Sequence, residues 1–231
     1  MLAVDPSSPF TGGAILGDRI RMQDHATDPG VYVRSLATRG HLGGLTLAVP
    51  EVVRVLDATG VPWVVVETVG VGQVEVEIAR AADTTVVVVN PGWGDAVQAG
   101  KAGLMEIADV FVLNKADRAG ADETERDLHG MLAAGARRDW TPPVVRTCAT
   151  EGRGAADVWA AVAAHRAYLE STGALAARRA ERLRAEVRAV ARARAAAVVD
   201  ERCAGPAFDE LVARVARHEL DPYAAAVALT T

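Results

Sequence analysis

Four short runs dense in β-branched and apolar residues recur along the chain: Leu2–Val4, Trp63–Glu67, Thr85–Val89 and Val110–Leu113, with a weaker fifth at Pro143–Arg146. The three strongest do not alternate polar with apolar, the pattern of strands covered on both faces. Between them, residues Glu51–Thr59, Val74–Ala82, Ala96–Ala108 and Glu123–Ala134 read as helices. Strands alternating with helices imply a parallel α/β sheet wound by right-handed crossovers. Hydrophobic residues make up 50% of the chain but aromatics only 4%, so Ala and Val must fill the core by tight helix-on-sheet packing.

The pattern changes after Ala155. Residues Asp157–Glu170, Leu175–Asp200 and Phe208–Arg217 read as helices, interrupted at Ser171–Gly173 and Gly205–Pro206. The expected division is a nucleotide-binding domain over 1–154 and a helical arm over 155–231. Arginines crowd the middle helix at 178, 179, 182, 184, 188, 192 and 194, while Leu183, Val187 and Val190 form an apolar stripe at helical spacing. Such arginines are expected to form a solvated face, with a dimerisation or partner arm as the sharper reading.

Charge and composition exclude several classes of function. The net charge of −5 is the wrong sign for a nucleic-acid footprint. The only two cysteines, Cys148 and Cys203, lie far apart, which fits a reducing cytoplasm and gives no disulfide framework. Apolar runs are strand-sized, so no membrane span is expected, and MLAVDPSSPF lacks the basic and apolar regions of a signal peptide.

The strongest chemical signal is Asn114-Lys115-Ala116-Asp117, directly after the VFVL run. In open α/β sheets, ligands bind beyond the carboxyl ends of the strands. A carboxylate there can accept from both the ring N–H and the exocyclic amine of guanine. Adenine presents the opposite polarity and would leave the carboxylate unpaired, a large selectivity penalty in a polar site. The Lys115 stem can lie on the base plane, and Asn114 can tie neighbouring loops. Thr147-Cys148-Ala149 follows the next strand, where a small-residue turn can offer a backbone N–H to the guanine carbonyl. Glu67 ends its strand three residues before Gly70, a spacing that suits a water-mediated magnesium contact and a glycine N–H sensing a terminal phosphate. Asp5 also ends a strand, and Asp18 follows in a glycine-rich stretch; carboxylates from separate loops can converge on a hard cation. The segment Gly94–Ala102 imitates a phosphate-binding loop but has five residues between its glycines and alanine in place of the magnesium-binding hydroxyl, so it is rejected.

These segments together resemble the methylmalonyl-CoA mutase-associated GTPases, the MeaB/ArgK family of P-loop GTPases. The resemblance spans about residues 1–220 and rests on AVDPSSPFTGGAILGDRIRM, VVVETVGVGQVEVEIA and NPGWGDAVQAGKAGLMEIADVFVLNKAD. It implies a three-layer P-loop NTPase-like parallel sheet binding GTP or GDP with Mg2+, and a C-terminal arm that forms a homodimer. Asp5, Asp18 and Glu67 match the family's magnesium carboxylates, and Asn114, Lys115 and Asp117 its guanine motif. Residues Pro91–Gly103 resemble its additional switch loop, where Lys101 falls on a lysine that assists hydrolysis. Gln73 stands three residues after Gly70 and is not assigned the water-positioning role. The implied function is a GTP-hydrolysing chaperone of a B12-dependent acyl-CoA mutase, gating cofactor loading without binding B12 itself.

Family members carry a GxxGxGKS/T loop before the DPSSP strand, and this sequence begins at that strand. The expected sheet is therefore incomplete at its N-terminus, lacking the first strand, phosphate loop and first helix, through a true start upstream of Met1 (the favoured reading) or through a truncated gene, and GTP turnover by these residues alone is expected to be slow. A GTPase-like binding module without turnover is the main alternative; an ATPase of the LAO/AO transport kinase type is disfavoured by Asp117.

Overall fold

The computed structural model describes residues 1–5, 22–25, 27–37, 42–68, 81–92, 107–135 and 139–230. They form an α/β structure in which every named strand pairing is parallel. Strands β1 (Leu2–Asp5), β2 (Arg34–Ala37) and β3 (Val66–Thr68) form one sheet in the order β2-β1-β3. Strands β4 (Val86–Val89), β5 (Val110–Leu113) and β6 (Val144–Arg146) form a second, in the order β4-β5-β6. The sequence pattern led us to expect one sheet. Among the described residues β3 and β4 each end their own sheet, and no strand joins them.

Strand β5 is the centre of the second sheet and is buried at all four positions, as its unbroken apolar run predicts. Its Phe111 and Leu113 pack with Val87 and Val89 of β4 and with Ala121 and Leu128 of α2 (Ala121–Ala134). The first sheet packs its Val4 and Leu36 against Val49 and Val53 of α1 (Leu42–Ala58).

Several elements depart from the sequence reading. Helix α1 starts well before Glu51 and carries Pro50 inside it. Proline normally marks a first turn, because in an interior it removes a hydrogen bond at a cost of about 3 kcal/mol; here the helix continues through it. Strand β2 was not anticipated, since its polar Arg34 and Ser35 hide the β signal. Strand β4 does alternate: Val87 and Val89 are buried, but Val88 is 58% exposed, because among the described residues only one face of this outer strand is covered. The expected helices at 74–82 and 96–108 lie mostly outside the described residues.

Helices α3 (Ala155–Ser171) and α4 (Ala174–Cys203) follow. Two compact units, Met1–Arg182 and Leu183–Thr231, divide within α4. In the first unit the arginines that start α4 are tied into ion pairs, although Arg178 and Arg179 stay exposed. Arg178 grips Asp109 with two nitrogens at 3.2 and 3.1 Å, and Arg182 reaches Asp83 at 2.9 Å. Arg179 pairs with the other Asp83 oxygen at 2.5 Å. Burial pushes the Asp83 carboxyl up, but hydrogen bonds from Arg179 and Arg182 and their charge outweigh it and hold the group below its ordinary 3.8. In the second unit Leu183, Val187 and Val190 are exposed at helical spacing. The unit also contains α5 (Pro206–Ala216) and α6 (Pro222–Thr230). Asp221 caps α6 by accepting from the Tyr223 and Ala224 amides at 2.8 and 3.0 Å, with Pro222 at the first turn. No described helix is long and apolar enough to cross a membrane.

Under β4 and β5, His165 of α3 is fully buried. Its Nδ1 meets the Thr84 hydroxyl at 2.9 Å, and its Nε2 lies 3.3 Å from an Asp109 oxygen but off the line of a hydrogen bond. The rings of Trp140 and Tyr168 flank it, and Trp140 donates its indole N–H to the Asp109 carbonyl at 2.8 Å. Burial lowers the His165 pKa below 6.5; the Asp109 carboxylate opposes this and Arg178 adds to it. A depressed histidine binds fewer protons folded than unfolded, so its contribution is present above 6.5 and is lost as pH falls toward its folded value. Thermal melts should show Tm falling as pH drops from 6.5, and His165→Gln should flatten that segment of the profile. Equal slopes in the two proteins would show that His165 does not govern it.

Candidate nucleotide-binding site

The loops after β5 and β6 meet beyond the carboxyl ends of those strands. Asn114 continues the ladder by donating its backbone N–H to Val89 at 2.8 Å. The Asn114 Oδ1 accepts from the Thr147 hydroxyl and the Ala149 backbone N–H, both at 3.1 Å. A backbone amide can only donate, which fixes Oδ1 on that side and leaves Nδ2 as the donor end of the side chain. The Ala116 amide donates to Thr147 O at 3.0 Å, and Arg146 donates to Ala116 O at 3.3 Å while pairing with Asp122 at 2.7 Å. The two loops are thus bonded through backbone and side chain alike.

Lys115 adopts φ 57, the left-handed region, unusual for a side chain with a Cβ. Such strain persists only where surrounding bonds over-determine it, and it clusters at functional loops. Two residues on, the Asp117 side chain is exposed to solvent. Its pKa lies below 3.8, because the Cys148 thiol and its own backbone amide donate to it, with the charges of Arg118 and Arg153 adding; partial desolvation opposes them. The carboxylate is therefore ionised at neutral pH and has only acceptors to offer.

The second loop is closed on itself. Cys148 donates its amide to Arg153 O at 3.0 Å across an antiparallel bridge, and a 3-10 turn over Ala149–Glu151 fills the gap. The amides of Cys148 and Ala149, expected to face a base carbonyl, are both engaged within the loops. The contact that the sequence did not reveal is the side chain of Cys148, which donates to Asp117. A thiol at a strand end carries no periodic signal that would have shown it.

Among the remaining residues singled out in the sequence, Glu67 lies in β3, in register with Ala3, and Asp5 ends β1 opposite Ala37. The Glu67 Oε2 atom is buried and has no partner, and the Ser35 hydroxyl, flanking Ala3 on the other side, is likewise unsatisfied. An orphaned carboxylate oxygen suits a hard cation or its bound water. No group of three or more acidic, His or Cys ligands occurs among the described residues. Asp18, Gly70 and Lys101 lie outside the described residues.

Gly154 holds this geometry at a distance. It has φ 81, and a Cβ there would run into Arg146 O, with the Thr147 Cα 3.1 Å away. Gly154→Ala should lower stability by about 2 kcal/mol or more, from strain plus the forced retreat of the β6 end. Denaturant melts measure the loss, and amide chemical-shift changes should concentrate at 147–153.

The sequence model of the family described as methylmalonyl-CoA mutase-associated GTPase MeaB matches residues 1–205. A Pyrococcus abyssi protein carrying a GTPase name is 50% identical over 98% of this chain and 71% of its own length. GTPase ArgK of Escherichia coli is 40% identical over 76% of this chain and 54% of its own. A crystal structure of LAO/AO transport system kinase superposes with a TM-score of 0.66 at 24% identity, covering 99% of this chain and 70% of the other, a likeness of fold. This chain belongs to the MeaB family of GTPases.

Proposed function

We propose that this chain recognises guanine nucleotides through Asp117 and serves as a GTP-hydrolysing switch for a B12-dependent acyl-CoA mutase. The observation that carries the first part is the ionised, exposed Asp117 carboxylate beside the fixed Asn114 amide at the end of β5. Guanine offers two donors side by side, on its ring nitrogen and exocyclic amine, and a carboxylate accepts both. Asn114 Nδ2 is the donor for the ring nitrogen on the other edge of the base, and the exposed Lys115 stem can cover its face. The family name supports the mutase partnership.

Glu67, with Asp5 and Asp18, would hold Mg2+, which when bound neutralises charge on the terminal phosphates. Gly70 would contact the terminal phosphate through its amide, and Lys101 would assist hydrolysis. Pairing of two chains through the C-terminal helices is supported by the exposed Leu183, Val187 and Val190 stripe.

Competition binding should favour GTP and GDP over ATP by orders of magnitude. Asp117→Asn exchanges an acceptor for a donor and should move the preference toward xanthine nucleotides, which carry a carbonyl where guanine has its amine. Because its neighbours hold the Asp117 carboxyl below its ordinary range, guanine affinity should persist to lower pH than an unperturbed carboxylate would allow. Equal affinity for ATP and GTP would overturn the reading. For the partnership, calorimetry with purified mutase should give binding that differs between GDP and a non-hydrolysable GTP analogue.

A further inference from the structure

We infer that Asp109 and His165 form a proton-operated latch on the start of α4: a second proton on the His165 ring draws the Asp109 carboxylate away from Arg178 and frees the first turns of that helix. Both side chains press on one atom. Asp109 Oδ1 accepts from Arg178 Nη2 at 3.1 Å, and His165 Nε2 stands 3.3 Å from the same oxygen. The other oxygen, Oδ2, takes the Thr85 amide at 2.9 Å and Arg178 Nη1 at 3.2 Å. An ionised carboxylate only accepts, so the neutral ring carries its proton on Nε2, and Nδ1 accepts from the Thr84 hydroxyl at 2.9 Å. That hydroxyl can turn and accept instead. Nδ1 can therefore take up a proton without leaving a buried group unpaired, and the surroundings hold the ring in either state.

What changes with the proton is Arg178. The charged and titratable groups against the ring are Asp109 before β5, Arg178 of α4 and Tyr168 of α3 itself; Thr84 and Trp140 are neutral. Burial disfavours the imidazolium, Asp109 favours it and Arg178 opposes it. When two cations share one carboxylate, the one that can reach water gives way. The His165 side chain is 0% exposed and has nowhere to go, whereas that of Arg178 is 42% exposed. An Arg178 side chain that swings out also abandons the Asp83 carbonyl, to which it donates at 3.1 Å. The start of α4 is then left on the pairing of Arg179 and Arg182 with Asp83. This release is local, and distinct from the loss of fold stability with falling pH. Linkage makes it reciprocal: whatever protonation of His165 costs the Arg178 contact, Arg178 costs protonation of His165.

The test uses the full chain, with Arg178→Gln and His165→Gln beside wild type. Carbon-13 NMR of the His165 ring should show it titrating at higher pH in Arg178→Gln than in wild type. Native-state hydrogen exchange, expressed as protection factors to remove the intrinsic pH dependence, reads residues 177–182. Between pH 7 and 5 their protection in wild type should fall roughly fivefold, a modest loss because the partner is part-exposed, with a midpoint matching the ring titration. It should stay high in His165→Gln and be low at both pH values in Arg178→Gln. Arg178 lies at the surface and its replacement leaves the core intact, so wild type and Arg178→Gln decide the matter even if His165→Gln fails to fold. An unshifted His165 titration in Arg178→Gln, a pH-independent protection of 177–182 in wild type, or a fall that persists in Arg178→Gln would overturn the proposal.

Discussion

Strand β5 is the piece on which the first unit depends. It is buried at every position, pairs in parallel on both sides, and takes α2 and α3 against it. Chemistry sits at each of its ends. Before it, Asp109 gathers Arg178, the Thr85 amide and the neighbouring His165. After it, Asn114 gathers the turn that follows β6. Sliding β5 in register would draw Asp109 or Asn114 into the covered stretch and set every side chain against the wrong neighbours. The two polar clusters are therefore held at a fixed separation by an apolar ladder that leaves them little freedom.

The two clusters are built on different terms. At the start of β5 the Asp109 carboxylate is largely withdrawn from water, though its Arg178 partner stays part-exposed, and Asp109 answers that cost with several donors rather than one. At the far end Asp117 remains exposed, where solvent screening keeps pairing energies small and orientation matters more. One end ties down the start of α4; the other leaves its acceptors open to solvent. This division explains why three arginines of α4 are consumed in ion pairs although the helix as a whole resembles a solvated rod.

Much of this was legible in sequence for definite reasons. Runs such as VFVL announce a buried parallel strand, and the place of Asn114 through Asp117 beyond its carboxyl end follows because the motif comes directly after that strand. Helix α3 and most of α4 showed through length and composition. Strand β2 did not, since Arg34 and Ser35 interrupt its apolar signal, and the start of α1 was obscured by Pro50. The arginine clamp was beyond sequence reasoning because Asp83 and Asp109 lie far from Arg178 along the chain and meet it only through the fold. The thiol contact was hidden for the same reason: Cys148 and Asp117 belong to different strand ends.

The outward face of β4 has a practical consequence. Val86 and Val88 face out from an uncharged Thr-Thr-Val-Val-Val-Val run that contains no proline, on the outermost strand of its described sheet. Such segments recruit like segments when they are bared, because backbone pairing and interdigitating valines both reward self-association. Preparations held near their melting point, or expressed faster than they fold, are therefore prone to aggregate through this segment first, and a lysine at position 88 is the natural gatekeeper for improving yield without touching the loops at the other end of the strand.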